Sequence, residues 1–233
     1  MRLVALSPHL DDAALSIGGT LHRLAQAGTE VTVLTVMAGD PASPEPPIQW
    51  DANAGFTTKG DAAAARQAED HHACATLGVR PRWLPFTEGS YSDPGVEERA
   101  LGALGSEIAD ADRVLLPGFP LEHPDHAWLT RLVLTRLAPG PLIGLYREQP
   151  YALRKLGRPR VGGTVRDLLD DGPRWGIARC SGRDRRAKLR ACRAYVSQRP
   201  LLAASEPLLL TRIAVDDGLR RGEWVAWLDD TRH

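Results

Sequence analysis

The alternation of strand-like and helix-like segments along the first 150 residues is the feature that most constrains the fold of this chain. The strand-like segments are short, largely apolar and rich in Val, Ile and Leu, as strands buried on both faces of a sheet are. The helix-like segments between them stop at glycine or begin with proline. The predicted strands are Leu3–Ser7, Glu30–Met37, Arg82–Phe86, Arg113–Pro117 and Leu142–Arg147. The predicted helices are Asp12–Ala27, Asp61–Leu77, Pro94–Ala109 and Pro124–Ala138. This series predicts an α/β fold with a mostly parallel central sheet flanked by helices.

The alternation weakens beyond Tyr151. Leu153–Arg174 is predicted to be a loop with a short helix, Arg183–Val196 is predicted to be a basic helix, and the tail Leu208–Leu228 is compatible with one or two strands. No repeat or low-complexity linker separates this part from the rest, and 233 residues lie within the size range of one α/β domain. We therefore expect a single Rossmann-like domain over residues 1–233, with a core over about 1–150 and a C-terminal extension over about 151–233.

The composition of the chain argues against some classes of binding partner. The 29 basic and 29 acidic residues cancel, which argues against a nucleic-acid binder or a polybasic membrane anchor. No segment approaches the roughly 20 consecutive apolar residues of a membrane helix. The three cysteines form no CxxC motif, which favours a reducing compartment. We therefore expect a cytoplasmic protein with no nucleic-acid or membrane partner; a homo-oligomer is compatible with the sequence.

Two short motifs carry most of the histidine and aspartate residues that suggest chemistry. The sequence Ser-Pro-His-Leu-Asp-Asp-Ala occupies residues 7–13, and Glu-His-Pro-Asp-His occupies residues 122–126. Each follows a predicted strand and begins a predicted helix. In an open parallel sheet the first and fourth strands are typically neighbours, and ligands bind at their carboxyl ends. The two motifs are therefore predicted to meet at one site.

The residue types of these motifs are those of a metal site. Two imidazoles and a carboxylate can bind catalytic zinc and leave one position for water or substrate. His9 and Asp12 can converge on one ion, while Asp11 is placed to accept a proton from a metal-bound water. His123 and His126 share a helix face, so one can bind the ion while the other faces the substrate. Alone, each motif is more typical of a helix start than of a metal site; together, at neighbouring strand ends, they favour a metal site.

The paired motifs resemble those of the PIG-L/LmbE superfamily of zinc-dependent, N-acetylglucosaminyl deacetylase-like enzymes. The resemblance continues in Thr35–Gly39, in Arg66-Gln67-Ala68-Glu69 and in the segment 188–198, so it spans about residues 1–200. It implies a Rossmann-like fold and an N-deacetylase activity. The reaction it implies is hydrolysis of an N-acetyl group on an amino-sugar-containing small molecule, with metal-bound hydroxide as the nucleophile.

The resemblance also implies a role for each matching residue. His9, Asp12 and His126 would bind one Zn²⁺ per chain, and Fe²⁺ is an alternative because imidazole and carboxylate ligands suit both ions. The implied catalytic residues are Asp11 as general base and acid, His123 as the group that polarises the carbonyl and stabilises the oxyanion, and Asp125 as the residue that tunes His123. The implied substrate contacts are Arg66 and Glu88.

The chain departs from the family pattern at a few positions. Leu10 stands where proline is common and Ala13 where glutamate is common, but neither position supplies a ligand. Leu121 and Glu122 precede His123, where some members of the family have a tyrosine that helps to bind the transition state. One hydrogen-bond donor to the oxyanion is therefore unmatched in this sequence.

Other functions are compatible with the same residues. The metal site could hydrolyse a different amide, such as a thiol conjugate or a longer N-acyl group. The motifs do not distinguish these substrates, since substrate specificity is predicted to depend on the Pro-rich loop 40–60 and on residues 153–175. A non-catalytic sugar or nucleotide-sugar binding protein is the alternative from another class. Asp11 argues against it, since a binding site needs no further carboxylate beside three ligands. The basic helix 183–196 is predicted to be a solvated face, or else a surface that neutralises an anionic substrate.

Overall fold

A seven-stranded, mostly parallel sheet forms the centre of the computed structural model, which describes residues 1–89, 91, 93, 95–137, 140–154, 169, 173–202 and 206–228. Within these residues the strand order is β3-β2-β1-β4-β5-β7-β6. The strands are β1 Arg2–Ser7, β2 Glu30–Thr35, β3 Arg80–Trp83, β4 Arg113–Phe119, β5 Leu142–Arg147, β6 Gly176–Arg179 and β7 Gly222–Trp227. Strands β1 to β5 are parallel, whereas β7 is antiparallel to both β5 and β6.

Helices cover both faces of this sheet. They are α1 Asp12–Gln26, α2 Gln49–Asn53, α3 Lys59–Leu77, α4 Val96–Ile108, α5 Pro124–Arg136, α6 Gly182–Cys192, α7 Arg199–Leu202 and α8 Glu206–Arg220. A 3₁₀ turn occupies Tyr151–Arg154. Alternate residues of β1 enter different cores: Leu3 and Ala5 pack with residues of α1, α3 and α6, and Val4 and Leu6 pack with residues of α4 and α5. None of the helices in the described residues is long and apolar enough to cross a bilayer.

The predicted fold class and the neighbouring positions of β1 and β4 are both confirmed. β1 pairs with β2 on one side and with β4 on the other, so the winding of the sheet reverses between β1 and β4. The third strand begins at Arg80, two residues before the predicted start at Arg82, and pairs there with Thr32–Thr35 of β2.

The tail, predicted to be compatible with one or two strands, contains the helix α8 followed by the single strand β7. Leu209 and Ile213 are buried four residues apart, which is a helical period. The predicted loop and short helix over Leu153–Arg174 lie largely outside the described residues. Strand β7 pairs directly with β5, so the chain beyond residue 151 extends the same sheet. That pairing supports our proposal that residues 1–233 form one domain.

A buried ammonium group joins this extension to the start of the chain. Lys188 of α6 is fully buried and its Nζ lies 2.8 Å from Asp217 Oδ2 and 3.0 Å from Glu223 Oε1. It also donates to the Gln149 side-chain carbonyl at 3.0 Å and to the Ser16 backbone carbonyl at 3.1 Å. Two carboxylates and two carbonyl oxygens thus satisfy a cation that would otherwise be costly to bury.

The same group of residues stabilises a kink in α1. Ile17 has non-helical backbone angles, and the amides that follow the kink, Gly19 N and Thr20 N, donate to the carboxylate of Glu223 at 3.0 and 2.7 Å. A Cβ at Gly18 would lie 3.1 Å from the side chain of Lys188, and one at Gly19 would lie 3.1 Å from Glu223. The two glycines therefore leave room for the network.

Replacing Lys188 with Met is expected to lower the free energy of unfolding by about 3–5 kcal/mol, because two buried carboxylates lose their cation. Urea denaturation followed by circular dichroism measures the change. Arg190→Met removes an exposed cation from the same helix and is expected to change the free energy by less than about 0.5 kcal/mol. Equal effects of the two substitutions would contradict the importance of the buried network.

Candidate metal centre and active site

The ends of β1 and β4 present the two motifs at the same edge of the sheet. After β1, the Ser7 hydroxyl donates to the His9 carbonyl at 2.6 Å and accepts from the Ala13 amide at 3.0 Å, which holds the turn that carries Asp11 and Asp12. After β4, His123 caps α5, and its Nδ1 accepts from the amide of Asp125 at 3.3 Å. Both turns depend on short-range hydrogen bonds at a helix start.

Three atoms from His9, Asp12 and His126 converge at this edge. Asp12 Oδ2 lies 3.2 Å from His9 Nδ1 and 3.2 Å from His126 Nε2, and the two nitrogens are 3.3 Å apart. All three residues are buried. A tetrahedral ion with ligand bonds of about 2.0–2.1 Å separates its ligand atoms by about 3.3–3.4 Å. The spacing of the three atoms therefore fits a metal ion of that size.

Two further carboxylates orient the imidazoles. His9 Nε2 lies 2.9 Å from Asp125 Oδ2, and His126 Nδ1 lies 2.5 Å from Glu148 Oε2. Because an ionised carboxylate only accepts hydrogen bonds, each ring in its neutral form carries its proton on that nitrogen and has its lone pair on the other. Two lone pairs and the oxygen of Asp12 thus face one another, and such a set requires a cation between its members.

Protons and a metal ion compete for this position. Burial lowers the pKa of His9, but hydrogen bonds to Asp12 and Asp125 outweigh burial and raise the pKa to about 9. Burial likewise lowers the pKa of His126, whereas Asp12 and Glu148 raise it to about 10. Burial raises the pKa of Asp12, but His126 and His9 bring it well below its usual range. The negative charge around the two rings therefore attracts either protons or a metal ion.

Two other sets of potential ligands overlap with this one. The ligand atoms of His9, His123 and His126 lie within 4.8 Å of one another, and so do those of His9, Glu88 and Asp125. The set that contains Asp12 is tighter, with all three atoms within 3.3 Å. We therefore take His9, Asp12 and His126 as the candidate metal ligands.

Asp11 lies beside this set and has an unusual acidity. Burial and the adjacent charge of Asp12 raise the pKa of Asp11 to about 7, against the opposing charges of Arg66 and His9. A carboxyl with a pKa near 7 can both accept and release a proton at neutral pH. The position and acidity of Asp11 suit a general acid and base.

His123 faces the mouth of the site. Its side chain is one third exposed, and its ring centroid lies 4.8 Å from that of His9 and 5.0 Å from that of His126. Burial, together with the charges of His9 and His126, lowers the pKa of His123. Asp125 Oδ2 is 3.9 Å from His123 Nδ1 but only 2.9 Å from His9 Nε2. The carboxylate of Asp125 thus contacts His9 more closely than the residue that it was predicted to tune.

The two residues predicted to contact the substrate contact each other. Arg66 of α3 is buried and donates to Asp51 Oδ1 at 3.2 Å, and its Nη1 lies 3.7 Å from Glu88 Oε1. Further along α3, Glu69 accepts from the Ser197 hydroxyl at 2.8 Å and Asp70 accepts from the Tyr195 hydroxyl at 2.8 Å. Part of the late motif at residues 188–198 therefore holds the helix that carries Arg66.

Two residues of the site, Glu148 and Tyr151, were not predicted from the sequence. Glu148 directly follows the strand β5. Its position resembles that of the acidic residues after β1, so the same argument from sequence could have identified it. The ring of Tyr151 lies edge-on to that of His126 with centroids 5.3 Å apart, and its centroid is 6.5 Å from that of His123. No spacing in the sequence connects Tyr151 to the two motifs.

Replacing Glu148 with Gln is expected to weaken zinc binding by about 10- to 100-fold, because His126 loses the carboxylate that fixes its protonated nitrogen. Competition with a chelating dye measures the dissociation constant. Glu98→Gln changes an exposed carboxylate on α4 and is expected to bind zinc as the unchanged protein does. Equal affinities of the Glu148 and Glu98 variants would show that Glu148 does not support a metal ligand.

Comparison with known proteins identifies relatives of the chain. Residues 4–137 match the PIG-L family, described as GlcNAc-PI de-N-acetylase. The chain is 32% identical over 120 residues to the 1D-myo-inositol 2-acetamido-2-deoxy-alpha-D-glucopyranoside deacetylase of Actinosynnema mirum, a match that covers 49% of this chain and 42% of that protein. The matches to three such curated relatives cover between 32% and 54% of the relatives' own lengths.

Solved structures resemble the chain over nearly its whole length. The zinc-inhibited form of teicoplanin deacetylase Orf2 has a TM-score of 0.76 and 26% identity, with 99% of this chain and 100% of that chain covered. The A40926 pseudoaglycone deacetylase Dbv21 has a TM-score of 0.77 and 27% identity, with 97% and 96% covered. Since the family match covers more than half of the 233 residues, the resemblance of the motifs is confirmed and the chain belongs to the PIG-L family.

Proposed function

We propose that this protein is a metal-dependent N-deacetylase that removes an N-acetyl group from an amino-sugar-containing small molecule. The observation that carries the proposal is the set of three electron-pair donors within 3.3 Å of one another, beside the buried carboxyl of Asp11. The relatives and structural neighbours named above are deacetylases, which supports the proposal. The three cysteines are buried and unpaired, which supports the expected cytoplasmic location.

His9, Asp12 and His126 would hold the ion, and we favour one Zn²⁺ per chain, with Fe²⁺ as the alternative. A divalent ion there would lower the pKa of a water molecule and polarise the acetamide carbonyl. Asp125 and Glu148 keep the lone pairs of the two imidazoles directed at the ion. The zinc-inhibited form of teicoplanin deacetylase Orf2 supports the binding of zinc by a deacetylase of this fold.

The side chains of this chain would then move the protons. Asp11 accepts a proton from the water that attacks the acetamide carbon, so a new C–O bond forms. His123 donates a hydrogen bond to the oxyanion, which is the charge that develops in the transition state. The C–N bond breaks as Asp11 returns the proton to the nitrogen, and acetate and a free amine leave.

Tyr151 would be a second donor to the oxyanion. Its hydroxyl pKa is raised well above the usual value by burial and by the charges of Asp12 and Asp11, so the group keeps its proton and can donate. Its ring contacts that of His126, and its ring centroid lies 6.5 Å from that of His123. Some members of the family have a donating tyrosine just before the histidine that matches His123, where this chain has Leu121 and Glu122. Tyr151 would supply the missing donor.

Two other functions lead to different experimental results. The same metal site acting on a thiol conjugate or a longer N-acyl group would hydrolyse those amides in preference to acetamides. A sugar-binding protein would bind an amino sugar without hydrolysing it, and Asp11, buried beside the ligand set, would then have no chemical role.

The proposal is tested by metal content and by acetate release from a panel of N-acetylglucosamine derivatives. We expect about one metal ion per chain and acetate release in the unchanged protein, and neither in His126→Ala. Asp11→Asn is expected to retain the metal and lose at least about 10²-fold in kcat, because proton transfer is removed without a ligand. Full activity of Asp11→Asn would remove Asp11 from the proton-transfer role. Metal without acetate release would direct the search to other amides.

Replacing Tyr151 with Phe is expected to lower kcat by about 10²-fold and leave KM and metal content nearly unchanged, because a donor that acts only on the transition state is lost. Steady-state kinetics on the best substrate of the panel measure both constants. A rise in KM at constant kcat would instead assign Tyr151 to substrate binding.

A further inference from the structure

A cavity of about 460 Å³ is lined in part by Glu88, a residue close to the candidate metal ligand His9. Its walls include the start of the Pro-rich loop, Asp51 of α2, Arg66 of α3 and Glu88. Glu88 places a ligand atom within 4.8 Å of those of His9 and Asp125, so the cavity and the metal site adjoin at Glu88. A substrate whose acetamide lies at the metal site would therefore extend its remaining part into this cavity.

The loop that forms the outer wall is fixed against the start of α3. The amide of Gly60 donates to the Ser43 carbonyl at 3.0 Å, and the amide of Lys59 donates to the Glu45 carbonyl at 2.8 Å. A Cβ at position 60 would lie 2.6 Å from the Ser43 carbonyl oxygen, so only glycine permits this approach. The charged groups on the loop thus have defined positions in the wall.

The charges of the cavity are predominantly negative. Its described lining residues include four carboxylates and two cations: Asp40, Glu45, Asp51 and Glu88, with Lys59 and Arg66. Both of these cations already have carboxylate partners within the cavity. Lys59 Nζ lies 2.5 Å from Glu45 Oε2, and Arg66 Nη1 lies 3.2 Å from Asp51 Oδ1 and 3.7 Å from Glu88 Oε1.

The geometry points to a substrate whose part beyond the acetamido sugar bears hydroxyl groups and an ammonium group, and to discrimination against phosphate or carboxylate at that position. This inference rests on the proposed deacetylase function and specifies its substrate class. Carboxylates accept hydrogen bonds from hydroxyl and ammonium groups, whereas an anion would meet an excess of like charge. Burial and the charge of Glu88 raise the pKa of Asp51 against the opposing charge of Arg66, in keeping with that excess.

Three disaccharides of equal size test the inference: N-acetylglucosamine linked to glucosamine, to glucose or to glucuronic acid. Calorimetry on Asp11→Asn measures binding without turnover. We expect the glucosamine compound to bind about tenfold more tightly than the glucuronic acid compound at low ionic strength, with a smaller ratio in about 0.5 M salt. Equal affinities, tighter binding of the glucuronic acid compound, or no binding of any compound would overturn the inference.

A matched pair of variants assigns the effect to the cavity. Glu45→Gln removes one carboxylate and frees Lys59, so it is expected to reduce the affinity ratio at least about threefold. Glu98→Gln alters a carboxylate outside the cavity and is expected to leave the ratio unchanged. Acetate release by the unchanged protein, measured separately on all three compounds, distinguishes the two proposals. Equal turnover of all three with equal affinities would retain the deacetylase and reject the charge selection.

Discussion

Three electron-pair donors crowded at the edge of a parallel sheet are the constraint on which the rest of the site depends. The atoms of His9, Asp12 and His126 face one another within 3.3 Å, and hydrogen bonds to Asp125 and Glu148 direct the ring protons away from the gap between them. In a buried environment such an arrangement is unfavourable unless positive charge enters the gap. The affinity for a cation therefore depends on how the two imidazoles are held, and Asp125 and Glu148 contribute to it through those hydrogen bonds.

The C-terminal extension supports both sides of this edge. On one side, Glu223 of β7 binds the amides after the kink of α1, the helix whose first turn presents Asp12. On the other, Lys188 binds the side chain of Gln149, the residue after Glu148. The carboxylates that satisfy Lys188 belong to the last helix and last strand, so the extension contributes to the position of residues at the active edge as well as to the sheet. A chain lacking it would lose the partners of α1 and of the segment after β5.

The sequence could predict the candidate metal ligands because each lies between a strand and the first turn of the following helix, where short-range order fixes its position. Strand alternation placed β1 beside β4, and the helix starts at Asp12 and Pro124 fixed which residues reach the edge. Glu148 has the same relation to β5 and could have been found by the same argument. Tyr151 could not, since its approach to His126 depends on the path of the chain after β5. The contact of Asp125 with His9 was missed for a similar reason: it crosses between two strands, and neighbours along the chain suggested His123 instead.

Arg66 affects both the proposed proton transfer and the proposed selection of substrates. This guanidinium lowers the pKa of Asp11, the proposed proton carrier, while its Nη1 is paired with Asp51 and Glu88 in the wall of the cavity. An anionic substituent drawn to Arg66 would compete with Asp51 and Glu88 and would add negative charge close to Asp11, favouring its protonated form. A protonated Asp11 cannot accept the proton of the attacking water. Excluding anions from the cavity would therefore protect the proposed catalytic step, because the acidity of Asp11 depends on the positive charge of Arg66.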